Sequence, residues 1–400
     1  MLYVISYGYK LSIKARFIVE LFKAQSNEQI YFVTRKLDLQ LQEKWHKNNI
    51  ELATSNIGIF IHFLLILLDP QDLRDRVIQR LTHRYRSHEL WMKKGFLSIL
   101  SFVLHFYYAY SKTETLEHFL NQNKSPKIFL IDEYKSINLV DLKMLKRMGS
   151  IVYISQDFAY NHFSFADSSL ARNLMYQLEK DAVAKAKLVI ACSERDKLKY
   201  KEMGAKKAVF YPNIYPIAKF EPDPKDPEPS VCIVLRSYWG PSVHDSLEEI
   251  FTALSYLNKS IKVYLIGVEP QKISKNVKLQ HYQFIPSKAD YLRTISKSWV
   301  GINVGIHLGG ANERKYDYAM AGLLVISDRL GSRGDLLPVE YTYVDSHDLA
   351  AKLNQLLSLS LERIVEMGQQ NRELALSLAE AQRSTLSAAV NDILIQSHSK

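Results

Sequence analysis

Cysteine is nearly absent: 400 residues carry two, Cys192 and Cys232, far apart in the chain. That argues against a disulfide scaffold and against a structural zinc site, whose ligands come in closely spaced pairs, and it fits a reducing compartment. No uncharged apolar run reaches the roughly 20 residues that a membrane-spanning helix needs. The opening stretch Met1–Gly8 has no basic region and no small-residue cleavage motif, so export by a signal peptide is not expected. No Gly-x-Gly-x-x-Gly follows the first predicted strand, which excludes a nicotinamide dehydrogenase of the usual dinucleotide-binding kind. Fifty-two lysine and arginine residues against 42 acidic ones leave a net charge of +10. No nucleic-acid motif accompanies that charge, so nucleic acid is not an expected partner. Anionic metabolites or an acidic lipid surface fit it better. Tandem repeats of solenoid length are missing too.

What is present is an alternation. Apolar residues make up 47% and charged residues 24%, which places the chain among ordinary globular proteins, and its length calls for two or three domains. Short β-branched runs alternate with segments of helical spacing: Met1–Tyr7, Ile30–Thr34, Ile50–Thr54, Ile128–Asp132, Ile151–Ser155, Lys187–Ser193 and Ala208–Tyr211 as strands. Ser12–Ala24, Val140–Met148, Ser168–Ala186 and Glu194–Met203 read as helices. Continuous apolar strands separated by helices indicate a parallel sheet covered on both faces, a doubly wound α/β domain. Six of the 12 prolines fall between Pro212 and Pro229, where neither helix nor central strand can persist. The alternation restarts with strands Ser230–Arg236, Ile261–Ile266, Leu279–Phe284, Gly301–Ile306, Leu323–Ser327 and Tyr341–Val344. Helices are expected at Asp245–Leu257, Ala289–Lys297, Asn312–Ala321, Leu349–Leu357 and Leu361–Leu394. The expected organisation is a domain over 1–212, a linker over 213–229, a second domain over 230–360 and a closing helix over 361–400 that returns to the first domain. Two such domains facing across a cleft put the default ligand site in that cleft.

An insertion without strand character spans about 57–110. Ile57–Leu68 and Gly95–Tyr110 are apolar, and Arg74, Arg76, Arg80, Arg84, Arg86, Lys93 and Lys94 lie between them. Two readings stay open: buried helices joined by a solvated basic face, or a surface that docks on anionic lipid headgroups.

The stretch richest in chemical signal is Gly301–Asp328. A strand ends near Ile306, Gly309-Gly310 follows, and a helix begins near Asn312, a good N-cap. Glycines before a helix let amide hydrogens approach an anion, to which the helix dipole adds positive potential. Arg314 could bond a phosphate oxygen, and Asp317, one turn on, could accept from ribose hydroxyls. The plainer alternative is a glycine turn and a surface Arg314–Asp317 pair with nothing bound.

Asp317 through Ser327 (DYAMAGLLVIS) resembles the "EAMAxGxPVI" signature of GT-B glycosyltransferases, particularly the large retaining family four. Ala186–Glu194 (AKLVIACSE) is similar to that family's "AdxvixxSe" strand. Tyr211-Pro212-Asn213 resembles the "xPNG" close of its first domain, and Val231–Arg236 the strand that opens its second. Order and spacing agree over roughly residues 150–345.

The resemblance implies two Rossmann-like domains and transfer of a sugar from a nucleotide diphosphate sugar, such as a UDP- or GDP-sugar. The acceptor would be a lipid-linked oligosaccharide, a glycan or a surface polysaccharide. It implies retention of anomeric configuration and no metal or other cofactor; the metal-binding Asp-x-Asp motif of the other glycosyltransferase fold is absent. It maps the ribose-binding carboxylate to Asp317 and the phosphate-binding arginine to Arg236. The family's earlier acid falls at Gly309, which with Gly310 would offer amides to the diphosphate, leaving Glu313 or His307 to recognise the sugar. The lysine expected after Arg236 is missing, and Arg314 is the candidate replacement. On the acceptor side, Gly8 ends the first strand where relatives have a glycine loop. Gln156-Asp157 stands where relatives carry His-Asp; Asp157 could hold an acceptor hydroxyl, and His162 is a nearby alternative. These departures equally suit a non-catalytic relative that binds sugar nucleotide or scaffolds a partner enzyme. A cytoplasmic protein, at the inner face of the membrane if the insertion docks there, is expected.

Overall fold

The structure, a computed structural model, describes residues 1–6, 13–25, 30–34, 49–51, 116–117, 120–122, 124–137, 140–155, 169–211, 220–235, 242–269, 272–305, 313–329 and 341–398. The chain divides into two compact units, one of residues 1–211 with 384–400, the other of residues 212–383.

The first unit contains β1 (Leu2–Ser6), α1 (Ile13–Gln25), β2 (Ile30–Thr34), β3 (Asn49–Glu51), β4 (Ile128–Asp132), α2 (Glu133–Ile137), α3 (Leu142–Met148), β5 (Ser150–Ile154), α4 (Ser169–Lys185), β6 (Leu188–Ala191), α5 (Glu194–Glu202) and β7 (Ala208–Phe210). Among the described residues, seven strands form one parallel sheet in the order β3-β2-β1-β4-β5-β6-β7. Strand side chains alternate between faces, and here buried apolar side chains pack on both. Tyr3, Ile5, Phe129, Ile131, Tyr153 and Val189 pack with α3, α4 and α5. Leu2, Val4, Leu130, Val152 and Ile190 pack with α1 on the other side. This two-sided burial is why the strands read as unbroken apolar runs.

The second unit contains β8 (Ser230–Leu235), α6 (Ser242–Ser255), β9 (Ile261–Gly267), β10 (Val277–Tyr282), α7 (Lys288–Ser296), β11 (Val300–Asn303), α8 (Glu313–Met320), β12 (Leu324–Asp328), β13 (Tyr341–Tyr343), α9 (Ser346–Leu357) and most of α10 (Leu361–His398). Its parallel sheet runs β10-β9-β8-β11-β12-β13. Counting from β8, that is the 3-2-1-4-5-6 order of doubly wound nucleotide-binding sheets. Helices α6 and α9 cover one face, and α7 and α8 the other. The fold is thus α/β with two doubly wound units.

Helix α10 serves both units in turn. Ala375 and Ala379 pack on the second sheet beside α7 and α8, whereas Leu386, Ala389, Val390 and Ile393 close the α1 face of the first sheet. Gly322, in the left-handed region at φ 72°, brings its carbonyl against Gly368 of α10 so closely that a Cβ at Gly368 would overlap it.

Residues 220–229 of the proline-rich stretch are neither helix nor strand, yet they are fastened to the second unit. Trp299 Nε1 donates to the Asp226 carbonyl at 2.8 Å, and Tyr264 Oη donates to the Asp226 carboxylate at 2.7 Å. Lys225 Nζ donates to the carbonyls of Ser296 (2.8 Å) and Ser298 (2.7 Å). Burial lowers the Lys225 amine from 10.5 to about 7. Between those values the unfolded chain carries a proton that the folded chain lacks, so stability rises with pH across that window. Below about 7 both states are protonated and the penalty of burying the charge is complete. Wild type should gain stability from pH 7 to pH 9, at up to about 1.4 kcal/mol per pH unit. Lys225→Met should be less stable overall and should lose that slope, which urea melts at the two pH values measure.

The insertion at 57–110 lies outside the described residues. Among those described, no helix is long and apolar enough to cross a membrane.

Candidate functional site

In a doubly wound sheet the ladder parts where strand order reverses, and ligands bind beyond the carboxyl ends there. In the second unit that point lies between β8 and β11. Their pairing stops at Ile233 and Ile302, while β8 stays paired to β9 as far as Leu235. The backbone groups left over by the parting are taken by two side chains of α8. Tyr318 Oη accepts from the Val234 amide at 3.1 Å and donates to the Ile302 carbonyl at 3.3 Å. The Arg314 guanidinium donates to the carbonyls of Val234 (2.9 Å) and Val304 (2.6 Å). Arg314 therefore stands at the switch point, two residues in sequence before Arg236 at its Val234 contact. Tyr318 is fully buried; burial foremost, then the neighbouring Cys232, pushes its hydroxyl well above the ordinary tyrosine value. It stays a neutral hydrogen-bonding wedge.

Around Arg314 the strand ends carry opposite charge. Asp328, ending β12, accepts from the Gly305 amide at 2.9 Å. Glu249 of α6 is raised above the usual carboxylate value by burial and then by Asp328 and Asp345. Burial, Asp328 and Glu249 push Tyr343 up while Arg314 pulls it down, so these groups share one electrostatic neighbourhood at the carboxyl end of β12 and β13.

Asp317 lies one turn along α8 from Arg314. Both its oxygens accept from Lys288 Nζ of α7, each at 2.7 Å. The Asp317 side chain is 5% exposed and that of Lys288 32%. Lys288 opens α7 next to Ser287, whose hydroxyl accepts from the Asp290 amide as N-cap, and its ammonium also lies 5.0 Å from the Tyr291 ring centre. Sequence reasoning missed Lys288: a lysine in the first turn of a surface helix signals nothing until the fold carries it to a residue 29 positions away.

The carboxyl end of the first sheet has its own polar cluster. Lys14 of α1, fully buried, donates from Nζ to the Ser155 carbonyl at 3.0 Å. Ser155 Oγ and Tyr200 Oη are 2.6 Å apart, and Tyr200 and Tyr153 both donate to Glu179 Oε1 at 2.8 Å. Asp196, raised by burial, accepts from Cys192 Sγ at 3.1 Å. The switch point of this sheet lies between β1 and β4, and directly after β4 comes Glu133 at φ 60°, a left-handed conformation that strains a residue with a side chain. No sequence signal marks a positive φ at a glutamate.

Of the sequence-derived candidates, Arg314 and Asp317 are described in full and Glu313 by its backbone alone, as the first residue of α8. Gly8, Asp157, His162, Arg236, His307, Gly309, Gly310 and Asn312 lie outside the described residues. Among those described, no group of three or more metal-binding side chains occurs.

No protein-family model matches the sequence, and no curated protein matches it. Solved structures do. A sucrose-phosphate synthase from Thermosynechococcus elongatus aligns over 99% of this chain and 98% of its own, with a TM-score of 0.60 and 15% identity. A UDP-forming α,α-trehalose-phosphate synthase from Burkholderia vietnamiensis aligns over 98% and 99%, with a TM-score of 0.61 and 9% identity. The N-terminal domain of a trehalose-6-phosphate phosphatase from Candida albicans aligns over 98% and 96%, at 0.59 and 12%. At such identities the likeness is one of fold: the chain has the GT-B fold.

Proposed function

We propose that this protein is a glycosyltransferase that moves a sugar from a nucleotide diphosphate sugar to a hydroxyl acceptor, with the donor at the carboxyl ends of β8 and β11. The observation that carries the reading is the parted β8–β11 ladder with the Arg314 guanidinium seated in it. As the donor's glycosidic bond breaks, negative charge grows on the diphosphate, and fixed donors that need no rearrangement stabilise it most effectively. Arg314 supplies one such charge; Arg236, which follows β8, and the amides that open α8 supply others. This chemistry needs no enzyme nucleophile, and the reading includes retention of anomeric configuration without a metal, by attack on the face that the leaving phosphate guards.

The acceptor belongs to the first unit in this reading. Ser155, bonded by Lys14 and Tyr200, stands two residues before Asp157, whose carboxylate would orient and deprotonate the acceptor hydroxyl. Asp157→Asn is expected to lower transfer by about a hundredfold while leaving nucleoside diphosphate affinity unchanged; titration calorimetry beside a rate assay measures both. The lipid-linked acceptor and the inner membrane face rest on the basic and apolar sequence at 57–110. Liposome flotation in which the five arginines changed to serine made no difference would remove that part.

Mixing the protein with UDP-, GDP- and dTDP-sugars and following nucleoside diphosphate release tests the main reading. Release that increases with a glycan acceptor supports it, and its absence across the panel contradicts it. Binding without turnover would favour the non-catalytic alternative, which draws support from the carbonyl partners of Arg314 and the Lys288 partner of Asp317.

A further inference from the structure

The Lys288–Asp317 pair bears on how the nucleotide is recognised, an inference that rests on the proposed donor site. If the diphosphate lies beside Arg314 at the first turn of α8, the next turn is about 5 Å further along the helix, roughly the step from a nucleotide's phosphates to its ribose. At that turn stands Asp317, and on it Lys288. The pair is asymmetric: the carboxylate is 5% exposed with both oxygens engaged, while the lysine is 32% exposed. A carboxylate that is buried and bonded twice acts as an anchor, since removing its cation would leave a costly buried charge. The accessible member of the pair is the lysine side chain, whose ammonium carries three donors and is held between the carboxylate and the Tyr291 ring.

We propose that Lys288 is the group that meets the donor's ribose hydroxyls and that Asp317 is its positioning residue. This exchanges the roles that the family resemblance suggests, in which the acid itself takes the hydroxyls. It also supplies a second fixed cation on the donor side, where the lysine expected after Arg236 is missing.

The test is titration calorimetry of the full chain with UDP, GDP and ADP, each against its 2′,3′-dideoxy counterpart. For whichever nucleotide wild type prefers, loss of the hydroxyls should weaken binding roughly tenfold. Lys288→Met should bring that ratio close to one, Lys288→Arg should restore most of it, and Asp317→Asn, which still offers an oxygen to Lys288, should keep a measurable part. Melting temperatures check that each variant folds, and a ratio compares two ligands on the same variant, so general destabilisation does not move it. A ratio unchanged in Lys288→Met would overturn the inference, as would a ratio abolished in Asp317→Asn but intact in Lys288→Met. If wild type bound none of the nucleotides, the donor site itself would be wrong, a failure distinct from the other two.

Discussion

Arg314→Met is expected to slow sugar transfer by roughly a hundredfold or more and to weaken nucleoside diphosphate binding, the largest functional effect of any single change in the second unit. Two losses combine. The charge that would face the departing diphosphate disappears, and the carbonyls of Val234 and Val304 lose the fork that satisfies them. Lysine separates these. Arg314→Lys keeps the charge, but an ammonium cannot reproduce a planar fork across two strand ends. It should recover part of the binding and little of the rigidity, which nucleotide titration and thermal melting of the three proteins would measure. Were Arg314→Met to bind nucleoside diphosphate as wild type does, the guanidinium would be a clasp for the splayed strands and nothing more.

Gly301→Ala is expected to be strongly destabilising, costing about 3 kcal/mol. A Cβ at Gly301 of β11 would come within 3.0 Å of three ring carbons of Tyr318. That ring has nowhere to go: it is fully buried, and its hydroxyl bonds both Val234 and Ile302. The glycine is what lets α8 lie close enough for Tyr318 and Arg314 to reach the parted strands. Tyr318→Phe alone should cost about 2 kcal/mol by leaving the buried Val234 amide without its acceptor. Removing the ring with Tyr318→Leu in the Gly301→Ala background should recover stability relative to the sum of the single changes. Urea unfolding of the four proteins measures the coupling, and strict additivity would show that the ring and the glycine do not oppose one another.

Much of the fold was legible because its strands are buried on both faces. Runs such as IFLID at Ile128–Asp132 and SVCIVL at Ser230–Leu235 have no polar alternation to confuse them, and their positions agree with the structure. The edge strand was harder. β10 spans Val277–Tyr282 with alternating exposure, whereas its apolar content suggests Leu279–Phe284; Phe284 is in fact 63% exposed. Tyr318 sat in view inside the DYAMAG signature, but nothing local says that its hydroxyl will bridge two strands 84 and 16 residues away. Lys288 was invisible for the same reason, its partner being set by tertiary packing. Likewise, the proline-rich run announces a break in regular structure, yet the bonds of Lys225 and Asp226 depend on partners more than 35 residues distant.

The most direct measurement is an experimental structure of the chain with a bound nucleoside diphosphate. The account predicts phosphate oxygens at the carboxyl ends of β8 and β11, against the amides that open α8 and within reach of the Arg314 guanidinium. A diphosphate bound at any other place on the second unit, out of reach of the Arg314 guanidinium, would contradict it.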